Sequence, residues 1–158
     1  MAADPDYTLE KFPWLVCERE GQILGYCYAG PHEDRAAYQW SVDVSVYIDA
    51  AARRMGVGRA VYRSLFSLLA LQGISKLYAG ITLPNPGSIG LHESLGFTPV
   101  GVYRQVGYKF GSWHDVGWWQ MTLQEFEGSP PPPIQLPEAA GSSAWNAAMD
   151  IGLSLLRL

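Results

Sequence analysis

The stretch that most restricts the fold runs from Trp40 to Gly73. "WSVDVSVYID" alternates: Trp40, Val42, Val44, Val46 and Ile48 share one face, and Ser41, Asp43, Ser45, Tyr47 and Asp49 share the other. Strict alternation is the signature of a half-buried strand. The chain then passes through "RRMGVGRA" into Val57, Ala60, Val61, Leu65, Leu68 and Leu69, which recur at helical spacing until Gly73 offers a stop. A strand, a glycine-bearing turn and a helix in direct succession build a ready anion site. The helix start presents free N–H groups and a positive dipole end, and glycine lets a phosphate approach the backbone. Arg53, Arg54 and Arg59 add positive charge. The stretch is not a P-loop, because "GVGRA" lacks the Lys-Ser/Thr ending, and it is not G-x-G-x-x-G, because position 61 is Val.

Around this unit the same reading yields a mixed α/β domain. "WLVCERE" and "GQILGYCYAG" are strands joined by a tight turn at Glu20-Gly21, and "PHEDRAAYQ" is a polar loop. "SKLYAGITL" is a strand. "PNPGSIGLHESLG" is a short helix with Asn85 as N-cap, Pro86 first and Gly96 at the end. "FTPVGVYRQVGYKFG" and "HDVGWWQMTL" are two strands with a loop between them. One crossover unit sits in the middle of the order strand-strand-strand-helix-strand-helix-strand-strand. An uninterrupted two-residue hairpin sets Cys17 opposite Leu24 and Cys27 opposite Trp14, too far apart to bond. Both are expected as reduced core thiols of a cytoplasmic protein. "GSPPPPIQLP" breaks regular structure as an extended linker, and "SSAWNAAMDIGLSLLRL" is a short amphipathic helix, expected to dock on the domain or a partner. The expected division is a domain over 1–127 and a linker and tail over 128–158.

Composition excludes several classes. The 158 residues carry a formal net charge of −4, with 48% hydrophobic and 16% charged residues. That argues against a broad nucleic-acid-binding face, though not against a local basic site. "MAADPDYTLEK" lacks the basic start and apolar core of a signal peptide, and no apolar run approaches the roughly 20 residues of a membrane span. No metal site is expected.

Arg53-x-x-Gly56-x-Gly58 resembles the acyl-CoA pyrophosphate loop of the GNAT superfamily of N-acetyltransferases. The succession of strand, loop, helix, strand, Asn-Pro, helix and "LGF" is similar to the core of that fold. "YAGP" (28–31), "LPNPGSIGLHESLGF" (83–97) and "GYKFGSWHDVGWWQ" (107–120) resemble phosphinothricin acetyltransferase and its relatives that acetylate methionine sulfoximine and methionine sulfone. The resemblance spans roughly 12–122 and implies a mixed, mostly antiparallel twisted sheet flanked by helices. It implies acetyl transfer from acetyl-CoA, as co-substrate, to the amine of a small amino acid, by an enzyme expected to be a homodimer.

By resemblance, Asp43 stands where the family has its general base, a glutamate in W-x-x-E-x-x-V-Y-V. Aspartate is one methylene shorter, so a water relay is more plausible than direct proton abstraction; a solvated acid on the polar strand face is the plainer reading. Val46, Tyr47 and Ile48 match the strand whose backbone binds the pantetheine arm. Arg53, Arg54, Met55, Gly56, Val57, Gly58 and Arg59 match the pyrophosphate loop. Asn85 and Ser88 match the cofactor-arm contact, although Asn85 also serves as a plain N-cap. His92 matches a histidine near the reacting centre, with a structural role as the alternative. Trp113, His114 and Asp115 are read as structural or dimer-contact residues. The sequence departs from the family pattern at His32, where a tryptophan follows "YAGP", and at Phe110 in "YKFG". Relatives begin with a further strand and two helices that wall the amine site. The resemblance therefore implies a shortened acceptor half and an open sheet edge: either a truncated product is expected, or a partner or the C-terminal tail covers the gap. A non-catalytic acyl-CoA-binding or dimerisation module is the alternative function.

Overall fold

The computed structural model describes residues 11–158; the stretch read for a leader largely precedes them. Six strands form one sheet: β1 (Trp14–Arg19), β2 (Gln22–Pro31), β3 (Ser41–Ile48), β4 (Lys76–Thr82), β5 (Thr98–Lys109) and β6 (Ser112–Thr122). Their spatial order is β1-β2-β3-β4-β6-β5, and every neighbouring pair is antiparallel except β3–β4. The parallel pair is joined over the sheet by helix α1 (Val57–Leu71), as a crossover must be. Helix α2 (Pro86–Ser94) follows β4, and the tail forms α3 (Leu136–Ala139) and α4 (Ser143–Asp150). No helix among the described residues is long and apolar enough to cross a membrane.

The expected strand order holds, and local chemistry explains it. Glu20 and Gly21 both take positive φ, the geometry of a two-residue hairpin turn. Phe110 and Gly111 do the same, so β5 and β6 meet in a tight turn rather than across a loop. Asn85 accepts a hydrogen bond from the Ser88 N–H and caps α2, with Pro86 in the first turn. Gly73, at φ 86°, ends α1 and lets the Ile74 N–H reach the Leu69 carbonyl.

One expected register is corrected. Cys17 faces Gly25 rather than Leu24, and Cys27 faces Leu15 rather than Trp14. A bulge at Cys17/Glu18 leaves Leu24 as the extra residue, and its carbonyl accepts the Asp49 N–H instead. Both thiols are free and buried, and burial pushes the Cys27 thiol far above its ordinary value.

The core lies between the sheet and α1. Val42, Leu65, Leu68, Leu69 and Leu77 have no exposed surface, so truncating any of the leucines to alanine should cost about 2–5 kcal/mol. The segment expected as an extended linker carries no helix or strand over 129–135 and is docked on the domain as a strap. The Trp40 indole N–H donates to the Pro131 carbonyl, and buried Gln72 donates to the carbonyls of Lys11 and Ile134. The tail continues over α1. Trp145 is buried, Ser64 donates to the Met149 carbonyl, and the Gly152 N–H donates to the Ser64 hydroxyl. Gly152 is required there, because a Cβ would run into the Ala60 carbonyl. Residues Arg63 and Leu71 remain the exposed part of α1.

Candidate active site

β3 and β4 pair over only Ser41↔Lys76, Val42↔Leu77 and Asp43↔Tyr78. Both strands then run on, β3 to Ile48 and β4 to Thr82, without pairing to each other. Two parallel strands that part in mid-sheet open a wedge, and Asp43 and Tyr78 stand at its vertex. The wedge opens towards the C-terminal ends of both strands, where α1 and α2 begin. Ligands of α/β sheets collect at such strand ends beside helix N-termini.

β3 leads out of the wedge through a 3₁₀ turn at Ala50–Ala52, capped by the Asp49 carboxylate accepting from the Ala51 N–H. Arg54 and Gly56 then take positive φ, 66° and 80°, and turn the chain into α1. No side chain caps this helix start. Its first N–H groups are therefore available to an anion, with Arg53 and Arg54 exposed beside them. The donor set fits a pyrophosphate. Val57 and Gly58 are buried against the domain, and the guanidinium of Arg59 donates to the Ser94 hydroxyl. The tail borders the same loop: the Arg157 N–H donates to the Met55 carbonyl, and a Cβ on Gly56 would strike the Leu155 carbonyl.

The sheet face bearing Asp43 is aromatic. Trp14 stacks on Tyr28 and Tyr26, with centroids 4.2 and 5.8 Å apart, and Tyr26 stacks on Tyr47 at 5.1 Å. At the vertex the His32 imidazole lies on Tyr78, 4.3 Å away and 18° from parallel, with Trp118 edge-on at 6.1 Å. His32 Nδ1 lies 2.5 Å from Asp43 Oδ1. Burial pushes the Asp43 carboxyl up, while the bond and charge of His32 pull it down. The indole N–H groups of Trp14 and Trp118 are buried without a hydrogen-bond partner among the described residues. A partly open cavity of about 150 Å³ lies elsewhere, between β1, α1 and the tail, lined by Trp14, Val61 and Met149 among others, and a larger one of about 410 Å³ lies between the polar loop after β2 and the strap, lined by Glu33, Arg35, Tyr38 and Ile134 among others.

His92 has a different setting. It is 3% exposed, in the core between α1 and α2. Nδ1 lies 2.7 Å from the Ser88 carbonyl, which can only accept, so Nδ1 carries the proton. Nε2, 3.0 Å from the Tyr62 hydroxyl, then accepts from it. Both nitrogens are satisfied inside the protein, and burial holds the imidazole below its ordinary value. Val46, Tyr47 and Ile48 lie on the part of β3 that pairs with β2 but no longer with β4, and Asn85 and Ser88 at the N-cap and first turn of α2, so these segments flank the wedge. His114 and Asp115, read as structural or dimer-contact residues rather than site residues, hold the β5–β6 hairpin: Asp115 accepts from Gln105 N–H and Arg104, and His114 donates to the Lys109 carbonyl. Sequence reasoning noted His32 only as a departure from a motif. Its partnership with Asp43 spans a polar loop, and no local pattern signals it.

Residues 3–118 match the acetyltransferase (GNAT) domain family. The chain is 44% identical over 133 residues to a phosphinothricin N-acetyltransferase from Streptomyces viridochromogenes, covering 84% of this chain and 71% of that protein. It is 37% identical to an L-methionine sulfoximine/L-methionine sulfone acetyltransferase from Salmonella typhimurium, over 72% of this chain and 67% of the relative. Among solved structures, a GNAT superfamily phosphinothricin acetyltransferase from Sinorhizobium meliloti in complex with AcCoA aligns with a TM-score of 0.71 at 33% identity, covering 80% of this chain and 69% of that one. The parted strands, the uncapped helix behind a glycine turn and these matches agree: the chain belongs to the GNAT acetyltransferase family.

Proposed function

We propose that the chain transfers the acetyl group of acetyl-CoA to the amine of a small amino acid of the phosphinothricin or methionine sulfoximine type. The observation that carries this reading is the end of β3–β4 pairing at Asp43↔Tyr78. An extended pantetheine arm fits the β4-facing edge of Val46, Tyr47 and Ile48, left free where β3–β4 pairing ends, as an added strand would. Arg53, Arg54, Met55, Gly56, Val57, Gly58 and Arg59 form the turn that receives the pyrophosphate through backbone N–H groups and charge. Asn85 and Ser88 border the arm from α2. Bound acetyl-CoA supplies an activated acetyl carbonyl; the chain holds it and manages the amine proton. Asp43 belongs to that proton chemistry. His92, fully bonded within the core, serves to join α1 to α2.

The aromatic face over β1–β4 suits the acceptor, and the unpartnered indole N–H groups of Trp14 and Trp118 suit its polar groups. Residues 1–127 form the catalytic unit and 128–158 a docked strap and tail. A cytoplasmic homodimer completes the reading. Tyr108, Phe110 and Trp113 are 64%, 91% and 60% exposed on the β5–β6 hairpin, which suits a contact between copies. Sedimentation should show a dimer that Phe110→Ser with Trp113→Ser dissociates.

The test is calorimetry with acetyl-CoA, followed by thiol release with phosphinothricin, methionine sulfoximine and methionine sulfone as separate acceptors. Binding and turnover with one of them are expected. Absence of acetyl-CoA binding overturns the reading.

A further inference from the structure

We propose that His32, held by Asp43, is the general base that takes the proton from the substrate amine. The inference rests on the acetyltransferase reading and adds a catalytic residue to it.

Three features of His32 carry the assignment. First, its tautomer is fixed. Asp43 Oδ1 can only accept when ionised, so Nδ1 carries the proton and Nε2 keeps its lone pair. Second, that lone pair is free, because Nε2 has no hydrogen-bond partner among the described residues, and the side chain is 28% exposed. Third, the ring is immobilised, with one face on Tyr78 and its edge against Trp118. The pair stands where β3 and β4 part, so a base on Nε2 faces the place where an amine meets the wedge.

Asp43 alone is a poorer base. One of its oxygens is engaged by His32, and an ordinary carboxylate is a weak proton acceptor near neutral pH. An imidazole is matched to that range, and a carboxylate behind it both orients the ring and stabilises the imidazolium. Burial of the Asp43 carboxyl strengthens that coupling. The titratable groups facing the pair are Tyr78 from β4 and Glu33 from the loop that bears His32; Glu33 raises the Asp43 value. The two positions at which the sequence departs from the motifs it resembles most closely around the site, 32 and 43, are these two partners.

One ammonium proton passes to Nε2 and then to solvent. The freed nitrogen lone pair forms the C–N bond at the acetyl carbonyl carbon. The C–S bond breaks with its electron pair on sulfur, and the second nitrogen proton ends on the departing thiolate.

The experiment follows thiol release from acetyl-CoA from about pH 5 to about pH 9 for the wild type, His32→Gln and Asp43→Asn. The wild-type kcat/KM should rise through one limb. His32→Gln should lose roughly 100-fold in rate together with the limb, at unchanged acetyl-CoA affinity. Asp43→Asn should lower the rate, because the ring loses the carboxylate that orients it and stabilises the imidazolium. A second readout needs no turnover: nitrogen chemical shifts of the His32 ring should report the proton on Nδ1 in the wild type and lose that tautomer preference in Asp43→Asn. A wild type that turns over while His32→Gln keeps its rate and limb overturns the base assignment alone. Unmoved ring shifts in Asp43→Asn overturn the pair. A wild type that neither binds acetyl-CoA nor releases thiol overturns the acetyltransferase reading, and the base with it.

Discussion

His32 and His92 are 60 residues apart in the chain, each bonded through Nδ1, and differ in what Nε2 meets. At His92 it meets the Tyr62 hydroxyl in a site 3% exposed. At His32 it meets no protein group among those described, at the vertex of an open wedge. A histidine with both nitrogens satisfied ties elements together and resists protonation. A histidine with a carboxylate behind it and an open nitrogen ahead can exchange a proton. Burial and completeness of bonding, rather than residue type, separate a structural imidazole from a reactive one.

That contrast breaks most readily by substitution. His32→Gln should lower acetyl transfer by roughly 100-fold while leaving the denaturation midpoint nearly unchanged, since the side chain is partly exposed. His92→Ala should do the reverse. It opens a cavity and leaves the Tyr62 hydroxyl buried without a partner, costing about 3 kcal/mol in urea denaturation. A His92→Ala variant of undiminished stability would refute its role as a core tie.

Two smaller effects sharpen the account. Gly56→Ala forces a Cβ into a left-handed position and towards the Leu155 carbonyl, so stability should fall by about 1–2 kcal/mol. Acetyl-CoA affinity should fall with it, and calorimetry would show both. The smallest is a pH effect on stability. The folded state holds His92 below its ordinary value of 6.5, so the unfolded chain binds the proton first as pH falls. Stability contributed by neutral His92 is therefore complete above that value and declines as pH drops towards the folded value. His92→Phe should flatten this part of the curve.

Much of the fold is legible in the sequence because it is written locally. The alternation from Trp40 to Asp49, the Glu20-Gly21 turn, the Asn85 cap and the Gly73 stop each depend on a few neighbouring residues. The bulge opposite Cys17 has a local mark in Gly25, beside Leu24 and opposite Cys17, but which residue becomes the extra one is not legible, being fixed by where the Asp49 N–H needs a carbonyl. The tail's docking is likewise hidden. It depends on Gly152 meeting Ala60 and on Ser64 bonding to both sides, 88 and 85 residues away along the chain. The site divides in the same way. The glycine turn into α1 announces itself, whereas the Asp43–His32 pair exists only once Pro31 ends β2 beside Val42.

The most direct measurement is the pH profile of thiol release by His32→Gln beside that of His92→Asn, each confirmed to be folded and to bind acetyl-CoA. The account predicts that His32→Gln loses both rate and pH limb, while His92→Asn keeps the limb and most of the rate. A folded His92→Asn that loses the limb while His32→Gln retains it would contradict the account and assign the reactive imidazole to the core histidine.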